Sequence, residues 1–83
     1  MQNLTGGIDI GSENHHVIIL NEEGVVIFDK KVRHAFEEFH AAIKKFKEIE
    51  ESFEGKVSFA IEGKNGYGAP FDRILMDHGY YTI

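Results

Sequence analysis

Cysteine is absent from the chain, which excludes a disulfide framework and any zinc site built on thiolates. That absence fits a reducing cytosol, and a cytoplasmic location is expected. No apolar run is longer than four residues. A membrane-spanning helix needs about 20 apolar residues and a secretory leader an apolar stretch of about 7–15, so neither is expected and no membrane partner is implied. Positive charge is also scarce: nine Lys and Arg stand against fourteen Asp and Glu, for a net charge of −5 with histidines neutral. A self-sufficient DNA-binding domain is more often basic, so the balance argues against one. It leaves room for a nucleic-acid enzyme whose binding surface lies on other segments or subunits. There is no internal repeat, linker or low-complexity segment.

What remains is enough for one small domain of 83 residues. A composition of 42% hydrophobic and 28% charged residues disfavours disorder. Seven Phe and three Tyr supply much of the core material. A chain of this length buries only about 60–65% of its unfolded surface, so modest stability is expected.

Thr5-Gly6-Gly7-Ile8-Asp9-Ile10-Gly11-Ser12 reads as a strand with one carboxylate in its middle. At period two, Ile8 and Ile10 point one way while Gly7, Asp9 and Gly11 point the other. Asp is depleted in strands and costly to bury unpaired, so Asp9 predicts a partner. Ser12-Glu13-Asn14 is a turn, and residues 15–20 form a β-branched run typical of a buried strand. Residues 21–24 read as a hairpin loop with Gly24 in a left-handed position, and residues 25–32 return as a third strand. These three strands predict an antiparallel meander.

The period then changes. Phe36, Phe39, Ile43, Phe46 and Phe53 fall at helical spacing, placing a helix near residues 35–53 with no good capping residue at its start and Gly55 just past its end. The aromatic stripe predicts a core face, and the mixed Lys/Glu face predicts solvated surface. Residues 56–62 form a fourth strand, with Val57, Phe59 and Ile61 on one side and Ser58, Ala60 and Glu62 on the other. Turn formers fill residues 63–68. Pro70 suits the first turn of a second helix with Phe71, Ile74 and Leu75 on its apolar side, ended by Gly79. Residues 80–83 begin a fifth strand. The order predicts an α/β fold, one mixed five-stranded sheet packed against helices. The chain stops inside an element, which predicts a fragment of a longer protein.

Glu62 is the candidate partner for Asp9, because small residues flank both acids: Gly7 and Gly11 beside one, Ser58 and Ala60 beside the other. Bare backbone beside a carboxylate leaves room for an ion, a water or a phosphate. If the first and fourth strands are neighbours, about 4.8 Å apart, the two acids converge. Carboxylates that close repel unless a cation neutralises them. Hard oxygen donors with open positions favour magnesium, which bridges to phosphate. Two such ions roughly 4 Å apart serve phosphodiester chemistry, and two acids alone would hold a metal pair poorly. On spacing alone the plainer arrangement is favoured, with Glu62 solvated or paired with Lys64. The matching small-residue faces narrow that preference without reversing it.

His15 and His16 are adjacent, so they point to opposite faces of a strand and do not share a metal. One packs against the sheet and the other meets solvent. The Gly63–Gly68 loop lacks the Gly-Lys-Ser/Thr ending of a P-loop, so turn chemistry is its default. Tyr67 either packs on the helix start or contacts nucleic acid.

The order of elements, with Asp9 on the first strand and Glu62 on the fourth, resembles RNase H-like folds. More specifically, the chain resembles the N-terminal domain of DEDD transposases of the insertion-sequence one-hundred-and-ten type, whose catalytic domain is similar to RuvC-type resolvases. Gly7-Ile8-Asp9-Ile10, His16, the turn at 21–24, Phe59-Ala60-Ile61-Glu62 with Gly66-Tyr67 and Pro70, and Leu75 with Gly79-Tyr80 carry the resemblance, which spans essentially the whole chain. It implies that Asp9 is the first acid of the tetrad and Glu62 the second, with two aspartates beyond Ile83. Asp72 and Asp77 do not match those and are read as surface residues. It further implies Mg2+ as cofactor, DNA as substrate, an element-derived guide RNA, a homo-oligomer, and little activity for this fragment alone. Two other readings stay open. One is the N-terminal lobe of an actin-like ATPase or sugar kinase, which also opens with Gly-Ile-Asp-Ile-Gly and in which Ser12 would approach a phosphate. The other is a non-catalytic RNA-binding or dimerisation module.

Overall fold

Strict alternation gives the first and fourth strands, the two at the middle of the sheet, one apolar side and one small or polar side, and the tertiary structure uses that division to make a two-layer domain. The computed structural model describes residues 1–62 and 66–83. The strands are β1 (Gln2–Asp9), β2 (Asn14–Leu20), β3 (Val26–Arg33), β4 (Gly55–Glu62) and β5 (Tyr81–Thr82). The helices are α1 (Phe36–Phe53) and α2 (Ala69–Asp77), the latter entered through a short 3-10 turn at Gly66–Gly68. The strands form one sheet in the order β3-β2-β1-β4-β5. The meander β1-β2-β3 is antiparallel, whereas β4 lies parallel to β1 and β5 parallel to β4. This is the mixed five-stranded sheet of an RNase H-like α/β domain.

Leu4 and Ile8 of β1, Val17 and Ile19 of β2, Val32 of β3 and Val57, Phe59 and Ile61 of β4 are buried in one cluster. Phe39, Ala42, Ile43 and Phe46 of α1 and Phe71 and Leu75 of α2 complete it. Both helices therefore cover the same side of the sheet. Phe46 is fully buried, with its ring 4.9 Å from Phe59 and 5.7 Å from Phe28. Phe39 stacks on Phe71 at 4.7 Å, joining the two helices. Gly6 faces the same core, where a Cβ would stand 2.4 Å from the Phe59 ring.

Loop chemistry follows the sequence in the hairpin and departs from it at the end of α1. The Asn21 side chain accepts hydrogen bonds from the N–H groups of Glu23 and Val25 at 2.9 and 3.0 Å. Gly24 and Gly79 take the left-handed conformations their positions require, with φ of 82° and 83°. At the end of α1 the left-handed residue is Glu54, with φ of 50°, and not Gly55. Gly55 is instead the buried first residue of β4, where a Cβ would stand 2.9 Å from Leu4 Cγ and 3.0 Å from the Gln2 carbonyl oxygen. Close strand approach, not helix termination, requires glycine at 55. The start of α1 at Ala35 has no side-chain cap, as expected, and Glu37 and Glu38 in the first turn suit the positive end of the helix.

Glu50 is not a plain surface acid. Its carboxylate accepts hydrogen bonds from the Val57 N–H at 2.8 Å and the Tyr80 hydroxyl at 3.0 Å, tying α1 to β4 and to the approach to β5. Burial first, then the hydrogen bond to Glu50 and its charge, raises the Tyr80 hydroxyl pKa.

Candidate functional site

The helices leave the other face of the sheet uncovered among the described residues, and that is the face onto which Asp9 and Glu62 project. β1 ends with Asp9 and β4 ends with Glu62, and the two are direct partners in the parallel register. Neighbouring strands are about 4.8 Å apart, so the acids stand side by side at one level of the sheet. Both are exposed. One residue back on the same face lie Gly7 and Ala60, also partners. Among the described residues, nothing lies within 4 Å of where a Gly7 Cβ would be. The resulting open depression, about 520 Å³, is lined by Gly7, Asp9, His16, Ala60 and Glu62 among others.

The strands explain this convergence physically. Ile8 and Ile61 lie in the core, and alternation then turns their neighbours Asp9 and Glu62 to the opposite side. The register that aligns Ile8 with Ile61 aligns the acids too. Two carboxylates beside small residues offer hard oxygen donors suited to magnesium or manganese. Two unit charges about 4 Å apart in water repel by only about 1 kcal/mol, a strain that an open site tolerates and a cation reverses. Among the described residues, no three His, Asp or Glu side chains converge closely enough to hold an ion by themselves.

The two adjacent histidines split as their alternation requires. His16 lies on the open face and pairs with Asp9 across the β1–β2 register, while its Nε2 is hydrogen-bonded to Asp29 Oδ1. His15 is fully buried on the core side. Its Nδ1 accepts from the Gly11 N–H at 3.3 Å, and its Nε2 lies 2.8 Å from Nδ1 of His34. With Nδ1 occupied as an acceptor, the neutral His15 ring carries its proton on Nε2 and donates it to His34. Burial, and secondarily the nearby His34, pushes the His15 pKa below 6.5. This histidine pair was not legible in the sequence, because its members are 19 residues apart and meet only when β2 and β3 pair.

The tight turn after β1 explains Gly11 locally. A Cβ there would stand 2.5 Å from the Asn14 carbonyl oxygen. Tyr67 is 60% exposed, with its ring edge-on to His34 at 6.2 Å, so it neither enters the core nor lines the depression. Asp77 is exposed and lies 3.5 Å from Arg73. Asp72, expected at the surface, is instead half-buried in the first turn of α2. Much of the Gly63–Gly68 loop, and the pairing of Glu62 with Lys64, fall on residues 63–65, outside the described residues.

The fold has a likeness among solved structures. A Ppx/GppA family member from Aquifex aeolicus matches with a TM-score of 0.53 and 14% identity, over 99% of this chain and 34% of its own. An exopolyphosphatase from Cytophaga hutchinsonii matches with a TM-score of 0.49 and 15% identity, over 95% and 33%. The chain thus spans about a third of the length of these proteins, and at 14% identity the likeness to the Aquifex aeolicus protein is one of fold. No curated protein matches the sequence. The family profile described as transposase, of the DEDD type, matches residues 6–83. With that match covering nearly the whole sequence, the chain belongs to the DEDD transposases of the insertion-sequence one-hundred-and-ten type.

Proposed function

We propose that Asp9 and Glu62 are two acidic ligands of a divalent-metal centre that cleaves and transfers DNA strands. The observation that carries this reading is the register: the two acids are direct partners on adjacent parallel strands. Each supplies a carboxylate from the end of a strand whose other face is anchored in the core, so the donors are held by packed backbone. Gly7 and Ala60 leave the space beside them free for a phosphate group of the substrate. Bound there, magnesium would activate the attacking oxygen and stabilise the leaving one. Two carboxylates form a partial donor set, so further ligands come from other segments or subunits. An element-derived guide RNA and a homo-oligomeric assembly belong to the same proposal.

The reading as a lobe of an actin-like ATPase draws on the fold shared with the Ppx/GppA protein. It would need Gly11 and Ser12 to receive a phosphate. Here the Gly11 N–H is engaged by His15 and its lack of a side chain is required by the turn. Those features favour the transposase chemistry.

Magnesium or manganese titration followed by backbone amide signals tests the proposal. The signals of Asp9 and Glu62 are expected to move together, and Asp9→Asn is expected to abolish both responses. Changes confined to exposed helix acids such as Glu37 and Glu51 would count against a shared site. ATP is expected to leave Gly11 and Ser12 unperturbed; a saturable shift there would revive the kinase reading.

A further inference from the structure

At the level of Asp9 the open face carries a third chemically active residue, His16. Asp9 has Glu62 as its register partner on one side and His16 on the other, so the three occupy adjacent strands in one row, and all three line the same depression. His16 does not stand alone. Its Nε2 is hydrogen-bonded to Asp29, which lies one strand further out on β3. An ionised carboxylate can only accept, so Nε2 carries the proton. In the neutral ring the lone pair is then on Nδ1. The pairing with Asp29 also limits rotation of a side chain that is 42% exposed. Nothing in the packing of the core calls for this pair, because both residues sit on the solvent side of the sheet.

We propose that His16, oriented by Asp29, is a positioning residue of the Asp9–Glu62 centre. It accepts through Nδ1 a hydrogen bond from a water of the ion's hydration shell. The inference rests on the metal reading of Asp9 and Glu62 and adds a role for the open face of the β2–β3 hairpin, whose other face packs in the core. An outer-shell role agrees with the geometry, since His16 and the two acids do not already converge as a three-residue ion cage. Magnesium retains several of its waters when protein-bound, so partners for those waters are part of its site. Asp29 fixes the imidazole as carboxylates orient histidines around metals generally.

The test is a magnesium titration of this chain, read by amide shifts at Asp9 and Glu62 and by the ring nitrogen signals of His16. In the wild-type chain Nδ1 of His16 is expected to shift with the same midpoint as the Asp9 amide. His16→Ala is expected to weaken ion binding about tenfold or more, the scale found for outer-shell partners. His16→Gln, which keeps one donor and one acceptor, should recover part of that loss, and Asp29→Ala should give a smaller loss. Wild-type affinity in His16→Ala, with binding abolished in Asp9→Asn, would overturn this inference and leave the carboxylate site standing. No response at Asp9 and Glu62 in the wild-type chain would overturn both.

Discussion

At the scale of single residues, the two adjacent glycines of β1 separate structure from site. Gly6 faces the core, where a Cβ would meet the Phe59 ring at 2.4 Å, and Phe59 is itself pinned against Phe46 and Tyr80. Gly6→Ala is therefore expected to destabilise the domain by about 1–3 kcal/mol, the usual range for overpacking, in urea unfolding. Gly7 faces the open depression, with nothing nearby among the described residues. Gly7→Ala is expected to hold or raise stability, by up to about 1 kcal/mol through the unfolded chain. It would also place a methyl group beside Asp9 and, on the proposed metal reading, weaken ion binding. His15 supplies the pH dependence. Its folded pKa lies below the usual 6.5, so the unfolded chain binds the proton more readily. The stability linked to His15 is present in full above about pH 6.5 and is lost as pH falls from there toward the depressed folded value, by at most about 1.4 kcal/mol per pH unit. Unfolding midpoints at pH 7.5, 6.0 and 5.0 should show that slope, and His15→Leu should flatten it. A midpoint that rises on acidification through this window would refute the assignment.

At the scale of elements, α1 carries the clearest gap between sequence pattern and structure. Of the stripe read from helical spacing, Phe39, Ile43 and Phe46 form the core face and Phe53 packs at its margin, whereas Phe36 in the first turn is 67% exposed and lies outside it. The helix ends at Phe53, as the glycine past it suggests, but the left-handed residue is Glu54 and not Gly55. The chain must reverse so that Gly55 can pass beside Leu4 and the Gln2 carbonyl, and that demand places Glu54 in the left-handed conformation. A left-handed conformation costs a non-glycine residue about 1–2 kcal/mol. Glu54→Gly is accordingly expected to stabilise the protein by up to about 1 kcal/mol, part of the relief being offset by the greater freedom of glycine in the unfolded chain. The Glu50 clamp offers the converse experiment. Glu50→Ala leaves the Val57 N–H and the Tyr80 hydroxyl without their acceptor, and a loss of about 1–3 kcal/mol is expected. Thermal melts of the two variants should move in opposite directions. If Glu50→Ala melts with the wild type, the clamp contributes nothing.

At the scale of the whole molecule, one core on one side of one sheet has to hold the site on the other side. Small domains have little stability to spare. Phe46, at the centre of that core and touching Phe28, Phe59 and Tyr80, is the most exposed point of failure in the design. Phe46→Ala is expected to cost about 3–5 kcal/mol, enough to leave much of the population unfolded, as read by loss of amide dispersion. Ligand linkage works the other way. If the row formed by His16, Asp9 and Glu62 binds magnesium, the ion stabilises the folded chain by about 2.7 kcal/mol at a hundred times its dissociation constant, and Asp9→Asn removes that gain.

The sequence by itself determined the elements, their order and their faces. Alternation in β1 and β4 assigned Asp9 and Glu62 to the side away from the core, and helical spacing assigned Phe39, Ile43 and Phe46 to the core. These are local properties of period and residue type. The tertiary structure decided what local patterns cannot carry, namely which strands are neighbours and in what register. Pairing β1 with β4 in parallel turned two acids 53 positions apart in the chain into partners. Pairing β2 with β3 brought His15 to His34 and His16 to Asp29. Sheet register is fixed by packing the apolar faces against α1 and α2, and the placement of every polar group on the open face follows from that packing.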